Sequence, residues 1–514
     1  MLGRQLPNSM GSFALIVTIT TTALFTLLGL FQVSRQQQDL ESYTTSRNST
    51  NTPALVATMV ASAMGAWILF APPEAASAMG GLSALLGYAL ASCLAVAVFA
   101  LIGPRLRWLM PQGHSLTEYA RHRYGRPMYW LTELVTLFYM FVYLAAELTA
   151  IAKALQLLAD VPLGLTALVV IVAVLIYTLY GGLSASIYTD RLQFFVILPL
   201  LFIAFGAAVF TLGGWGAATA PVVQASPELT SLANPPGQRF GLTLVVAIVA
   251  AEIFNQGNWQ RVYAAKSDRA LRGAFLGAAF LFILPLVILA GLLGLFATQF
   301  GIAGDTAYFQ LLQQLQAPNW LLGGVMVLAV SLVMSSIDTL LNGMASLFTQ
   351  DLLQLSPGAN RRWVLNLSRL LMVVAALPAV WIASRGYSVL YLFLLADLLC
   401  AGAVFPLLLG LYSRRIGGAN ALVSSLVGIG VGALFFPRPD FSPLMAGLPG
   451  GGDLLISFGG ALLVSAMLSL LWNEIAFLTG TGDRFNFHRL QAVQPYAPAA
   501  SPTRPAAAIP LSKG

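Results

Sequence analysis

Thirteen long apolar segments divide this chain, and most of its basic residues fall on one side of them. We place the segments at 11–33, 52–71, 81–103, 127–158, 161–180, 184–213, 239–257, 271–297, 319–348, 362–384, 387–412, 418–437 and 452–479. Most are near the ~20 residues that a helix needs to cross a bilayer core. Only 9% of the residues are charged, whereas soluble domains carry about 25%. The sequence therefore predicts an all-α polytopic membrane protein with about 13 transmembrane helices.

The basic residues give the predicted orientation. If the N-terminus lies outside, 20 of the 26 Lys and Arg residues lie on the inner side. Arg261, after the seventh segment, is one of these. Because positive residues favour cytoplasmic loops, we expect a multi-pass protein of a bacterial-type inner (plasma) membrane, with the lipid bilayer as its surroundings and its C-terminus in the cytoplasm. The net charge of +7 then reflects topology, and no nucleic-acid partner is expected.

The apolar segments also define the predicted domains. A transmembrane domain covers 1–480 and consists of a leading helix (11–33), a first repeat (52–213), a second repeat (239–412) and trailing helices (418–479). Residues 481–514 are rich in Pro and Ala and have no apolar periodicity, which is typical of a disordered cytoplasmic tail.

Two segments carry polar or glycine-rich interruptions, at Gly65-Ala66-Trp67 in the second and Gly257-Asn258-Trp259 in the seventh. In a bilayer, a helix break is tolerated only where protein or a cavity surrounds the freed backbone groups. Each break opens a set of five segments, and five is an odd number. The second set therefore crosses the membrane in the opposite direction, which predicts a 5+5 inverted repeat with broken helices.

The ninth segment contains adjacent hydroxyls followed by an acid, in Ser335-Ser336-Ile337-Asp338-Thr339. A small monovalent cation such as sodium needs several oxygen ligands, which hydroxyls and the free carbonyls of an unwound helix supply. The alternative is that these side chains bond to their own helix backbone or pack as small residues. No soluble-type catalytic motif is present, so we do not expect an enzyme.

Four stretches resemble the sodium:solute symporter family over about residues 10–480. They are Val333-Met334-Ser335-Ser336 with Ala345-Ser346-Leu347-Phe348 and Asp351, Tyr180-Gly181-Gly182-Leu183 with Tyr188-Thr189-Asp190, Asn255-Gln256 with Gln260-Arg261, and Ala61-Ser62-x-Met64. The resemblance implies a leucine-transporter-like fold that couples sodium influx to uptake of a small-molecule solute by alternating access. It implies no protein partner. At Ala63 the sequence departs from the proline carriers, which have an acid there.

The resemblance also implies where sodium binds. The main site would use the carbonyls of Ala61, Met64 and Leu332 and the hydroxyls of Ser335 and Ser336. Some members hold a second ion, which here would lie among Asp190, Asp338 and Thr339. The alternative for Asp190 is that it caps a helix N-terminus near the cytoplasmic face.

Ionisable residues deep in a membrane indicate a functional site. We expect the solute near the breaks, against a set of six residues. They are Trp67, Glu252, Asn255, Gln256, Asn258 and Asp397. Several deep acids without a deep base argue against an anionic solute, so a polar neutral or zwitterionic solute is expected.

Two other functions remain open. A proton-coupled permease of the same fold would use Asp338 or Glu252 as its proton carrier. A channel or membrane sensor is the other alternative, although the chain has no selectivity-filter repeat and no signalling domain.

Overall fold

The computed structural model describes residues 8–34, 43–356, 358–445, 447–479 and 484–493. Its α-helices are α1 Asn8–Ser34, α2 Thr52–Ala63, α3 Ala71–Ala78, α4 Gly81–Ala97, α5 Phe99–Leu109, α6 Leu116–Tyr124, α7 Arg126–Ala159, α8 Leu163–Thr211, α9 Trp215–Ala225, α10 Pro227–Thr230, α11 Pro235–Glu252, α12 Gln256–Ala264, α13 Asp268–Gly277, α14 Leu284–Ala297, α15 Ala307–Gln314, α16 Asn319–Leu355, α17 Arg361–Ala383, α18 Val389–Tyr412, α19 Gly418–Phe435, α20 Leu454–Leu478 and α21 His488–Gln491.

Ten helices in the described residues are long and apolar enough to cross a membrane, and two bent pairs raise this number to 12. The segment α8 consists of two helices joined at a kink and has 49 residues in all, more than twice the ~20 residues that one crossing of a bilayer core needs. It is interrupted at Gly182, whose φ of 56° favours glycine. Counted as two spans, α8 completes the thirteen that the sequence predicts.

Both predicted breaks are present. The second span bends by 57° between α2 and the residues Ala66–Ala78, and the seventh bends by 60° between α11 and α12. The second span is longer than predicted, because it continues through α3 to Ala78. Pro72 and Pro73 lie in the first turn of α3, where proline is tolerated since that N–H has no helical partner.

Close packing holds the two repeats together. Helix α4 packs against α11, and their backbones touch at two glycine pairs. A Cβ atom added at Gly87 would lie 2.2 Å from the Cα of Gly241, and one at Gly80 would lie 2.3 Å from the Cα of Gly237. Small residues allow this approach of membrane helices. Helix α16 lies at the centre and contacts α1, α2, α7, α8, α12 and α17.

Part of the predicted disordered tail is ordered, so that prediction was wrong for residues 484–493. Helix α21 follows Phe485 and Phe487, and Leu490 within it is fully buried. The backbone N–H of Phe485 donates to the carbonyl of Arg414 at 2.8 Å. The Arg123 guanidinium lies 4.3 Å from the centre of the Phe485 ring. Aromatic residues and cation–π contacts therefore anchor this stretch. The rest of the tail, at 481–483 and 494–514, lies outside the described residues.

Candidate functional site

The first break exposes backbone carbonyls at the centre of the protein. Helix α2 ends at Ala63, and the next two residues are extended, Met64 with φ −96° and ψ 93° and Gly65 after it. Among the described residues, no backbone N–H beyond Ala63 donates to the carbonyls of Ala61 and Met64. Buried carbonyls without a donor are uncommon in proteins. This break therefore offers oxygen ligands that its own backbone does not use.

The serine pair of α16 faces this break, since α16 contacts both α2 and the 3₁₀ turn Ala66–Leu69. The Ser335 hydroxyl donates to Asp190 Oδ1 at 2.5 Å. The Ser336 hydroxyl lies 3.0 Å from Glu147 Oε2 and 3.2 Å from the Leu332 carbonyl. A hydroxyl that donates its proton keeps its oxygen lone pairs. The five residues of the expected main sodium site thus lie on two elements in contact.

Glu147 of α7 joins these two elements. Its side chain is fully buried, and its Oε2 accepts hydrogen bonds from the backbone N–H of Ala66 at 2.8 Å and from Ser336. Its Oε1 has no hydrogen-bond partner in the described protein. A Cβ atom at Gly65 would lie only 2.0 Å from this oxygen. The sequence shows Glu147 as an acid deep in a span, but its role at the break needs the tertiary contacts.

A buried ion pair lies beside the serine pair. Arg261 and Asp190 are both fully buried, and Arg261 Nη2 is 2.7 Å from Asp190 Oδ2. The same nitrogen donates to the Thr339 hydroxyl at 2.9 Å, and Arg261 Nε donates to the Thr58 hydroxyl at 3.1 Å. Thr58 also hydrogen-bonds to Asp190.

One expectation was therefore wrong, and one alternative does not hold. Arg261 is a deep base and does not lie in a loop, because it belongs to α12, which follows the 60° bend and is buried along its length. Asp190 does not cap a helix N-terminus, because it lies within α8, eight residues beyond the interruption at Gly182.

Asp338 is the second acid of this cluster. Its carboxylate accepts hydrogen bonds from the hydroxyls of Ser186 at 2.5 Å, Tyr177 at 3.0 Å and Thr189 at 3.2 Å. Asp190, Asp338 and Thr339, the three residues expected around a second ion, thus lie together. Arg261 contacts Asp190 and Thr339, whereas the hydrogen bonds of Asp338 come from hydroxyls.

A cavity lies next to the first break, where Ala63 and Trp67 form part of its wall. Three of the six expected solute residues line it, namely Trp67, Glu252 and Asp397. Aromatic side chains form much of its wall. They are Trp67, Tyr88, Tyr139, Tyr143 and Phe393. The Trp67 ring stacks on Tyr88 with the centroids 5.6 Å apart and meets Phe393 edge-on at 6.4 Å.

The other three expected solute residues do not line this cavity. The amide nitrogens of Asn255 and Asn258 donate to Glu252 Oε2 at 3.1 Å and 2.6 Å. Asn255 also caps α12, because its Oδ1 accepts the N–H of Gly257 at 3.0 Å. Gln256 donates to the carbonyl of His114 at 2.8 Å. These amides therefore support the second break and hold Glu252 in place.

The sequence interpretation missed Tyr88, Tyr143 and Ser92 as lining residues. Tyrosines within apolar spans are a usable signal, because a buried phenol hydroxyl normally finds a hydrogen-bond partner. The hydroxyls of Tyr88 and Tyr143 have none among the described residues, and the same holds for the buried hydroxyl of Ser92. They are available to a ligand.

Known proteins resemble this chain over most of its length. The family model described as the sodium:solute symporter family matches residues 43–428. The spermidine transporter DUR31 of Candida albicans is 29% identical over 391 residues, 73% of this chain and 72% of that protein. The sodium/glucose cotransporter of Vibrio parahaemolyticus is 28% identical over 399 residues, 70% of this chain and 72% of that protein.

Two solved structures share the fold. The substrate-bound, outward-open structure of a Na⁺-coupled sialic acid symporter has a TM-score of 0.71 at 17% identity, covering 90% of this chain and 98% of that one. The nucleobase-cation-symport-1 family transporter Mhp1, in a closed conformation, has a TM-score of 0.57 at 14% identity, covering 88% of this chain and 98% of that one. These likenesses confirm the predicted leucine-transporter-like fold.

Proposed function

Because this chain belongs to the sodium:solute symporter family and is a sodium-coupled secondary transporter of small solutes, we propose that its coupling ion binds at the first break. The ligands are the carbonyls of Ala61, Met64 and Leu332 and the hydroxyls of Ser335 and Ser336. The strongest support is that both hydroxyls donate towards buried carboxylates, which leaves their lone pairs for a cation.

The same break couples the ion to the solute. Ala63 and Trp67 line the cavity, and Ala61 and Met64 of the same segment supply carbonyls to sodium. A sodium ion that joins α2 to α16 therefore also fixes the wall of the solute cavity. A ligand shifts the equilibrium between two conformations only if its affinity for them differs. In this proposal sodium binds the outward-open state more tightly, and binding of the solute then permits closure.

A second sodium ion at Asp190, Asp338 and Thr339 is part of the proposal. Arg261 already balances the charge of Asp190. The carboxylate of Asp338 is surrounded by hydroxyls, and a buried carboxylate without a cation is costly. We expect reversal potentials in proteoliposomes to give two sodium ions per solute, and one in Asp338→Asn. A ratio of one sodium ion per solute in the wild type would contradict the proposed second sodium site.

This multi-pass membrane protein has its N-terminus outside and its C-terminus in the cytoplasm, as the positive-inside rule supports. Reporter fusions after Arg126 and after Arg362 should lie in the cytoplasm, and a fusion near Pro235 should lie outside. An external signal after Arg126 would contradict this orientation.

Transport by reconstituted protein tests the proposal. A thermal-stability screen of amino acids, sugars, urea, nucleobases, amines and carboxylates, with and without sodium, identifies a ligand, because a ligand that binds only the folded state raises its stability. We expect uptake of that ligand to follow an inward sodium gradient. Equal uptake with potassium in place of sodium, driven by a pH gradient, would instead establish the proton-coupled permease with Asp338 or Glu252 as the carrier.

A further inference from the structure

The solute cavity contains two carboxylates and no base. Glu252 and Asp397 line it, and no Lys, Arg or His is among its lining residues. Arg261 is a deep base on the helix that follows Glu252, but it is paired with Asp190 and hydrogen-bonded to Thr58 and Thr339. It is not among the residues that line the cavity. The charge of the cavity is therefore negative when its acids are ionised.

The two acids, Glu252 and Asp397, differ in the hydrogen-bond donors that surround their carboxylates. Glu252 accepts from Tyr139 at 2.9 Å, Asn255 at 3.1 Å and Asn258 at 2.6 Å, so both of its oxygens are in use. Asp397 lies in the interior of α18 and is 4% exposed. No described residue donates a hydrogen bond to it or forms an ion pair with it. A buried carboxylate without a donor or a cation is strongly unfavourable, which indicates that a ligand supplies its partner.

The cavity walls also suit a cation. Trp67, Tyr88, Tyr143 and Phe393 line the space, with the rings of Tyr143 and Phe393 meeting edge-on at 4.7 Å. The negative face of an aromatic ring attracts an ammonium group. Sodium is not the natural occupant, because it requires several oxygen ligands and most of this wall is aromatic or aliphatic.

We infer that the solute is an organic cation, an aliphatic amine whose protonated amino group pairs with Asp397 beside these rings. This inference rests on the proposed function and narrows it. An amine satisfies the carboxylate that no protein group satisfies, while the carboxylate of a zwitterion would meet two acids and no base. A neutral polyol would leave Asp397 without a counter-charge. The neutral or zwitterionic solute that the sequence favours is therefore replaced by a cation.

A series of four-carbon compounds that differ only in charge tests this. The probes are 1,4-diaminobutane, 4-aminobutan-1-ol, 4-aminobutanoate and butane-1,4-diol, each measured for the thermal stability of the purified protein and for sodium-driven uptake. We expect both effects to decrease in that order, with the zwitterion and the diol close to background. Preference for the zwitterion or the diol, or no response to either amine, would overturn the inference.

Variants locate the effect. Asp397→Asn should lower uptake of 1,4-diaminobutane by an order of magnitude or more, Asp397→Glu should restore part of it, and Asp440→Asn, which alters an exposed carboxylate, should leave it unchanged. Undiminished uptake in Asp397→Asn would overturn the inference, and the wild-type series decides it if that variant does not fold. Sodium-induced stabilisation without any solute reports on the proposed sodium site alone, so failure of the amine series leaves that site standing.

Discussion

The two broken helices share the tripeptide Gly-x-Trp but use it differently. At the first break, Trp67 lines the solute cavity and donates to the Ala63 carbonyl at 3.2 Å, while the carbonyls of Ala61 and Met64 accept no hydrogen bond from the described residues. At the second, Trp259 is fully buried, donates to the Ile253 carbonyl at 2.7 Å and packs edge-on against Phe99 at 5.0 Å. Asn255 caps the half-helix that follows. Side chains of the second break therefore hold Glu252 and the Ile253 carbonyl, so this break acts as a support, whereas the first leaves the carbonyls of Ala61 and Met64 for ligands.

The difference shows why a shared motif does not imply a shared role. A helix break in a membrane must satisfy its backbone groups with protein, water or a ligand. The second break has polar side chains on both sides of it, Glu252, Asn255 and Asn258, which meet that need. The first has Ala, Met and Gly at the equivalent place. Its described polar partner from another helix is Glu147, which accepts from the N–H of Ala66 and in turn from Ser336 of α16.

The largest expected effect concerns the arginine that links the two breaks. Arg261→Gln leaves Asp190 buried without its cation, and breaking a buried ion pair costs about 3–5 kcal/mol. We expect a marked loss of thermal stability in detergent, and a smaller loss in Arg261→Gln with Asp190→Asn. The control is Arg239→Gln, which breaks an exposed pair with Asp453 and should cost at most about 1 kcal/mol. Equal losses in the two arginine variants would contradict the role given to Arg261.

The two motif glycines provide a matched comparison. A Cβ atom at Gly65 would lie 2.0 Å from the Glu147 carboxylate, and one at Gly257 would lie 2.4 Å from a methyl of Thr339. Both alanine variants overpack the core, which costs about 1–3 kcal/mol. Gly65→Ala should also raise the sodium concentration needed for half-maximal uptake, because it displaces a group bonded to Ser336, whereas Gly257→Ala displaces Thr339 and should act through the proposed second ion, as a change in the sodium-to-solute ratio. A raised sodium requirement in Gly257→Ala alone would reverse the assignment of the two breaks.

A smaller effect is expected at the helix caps. Asn255→Ala removes the cap of α12, and loss of such a cap costs about 1 kcal/mol. Asn51→Ala is the control, since Asn51 caps α2 through the N–H of Ala54 at 3.2 Å. Solute uptake should fall only in Asn255→Ala, because that side chain also holds Glu252 in the cavity wall. Equal uptake in both variants would show that Glu252 does not need Asn255.

Much of the fold follows from the sequence, because apolar length and basic asymmetry are properties of single segments. The thirteen spans, both breaks and the serine pair are of this kind. The burial of Arg261 could not be predicted, because a basic residue after an apolar segment normally marks a loop, and only the packing of α12 against α2 and α16 buries it. The roles of Tyr88 and Glu147 depend on which helices pack together, which the spacing of residues within one span does not reveal.

Equilibrium binding of radioactive sodium to purified protein without solute tests the central claim, that the first break holds the coupling ion. We predict saturable binding in the wild type and in Ser331→Ala, whose hydroxyl bonds to the Val327 carbonyl of its own helix at 2.7 Å. In Ser335→Ala with Ser336→Ala, the sodium concentration for half saturation should rise by an order of magnitude or more, because alanine supplies no oxygen. Unchanged sodium affinity in that double variant would contradict the account.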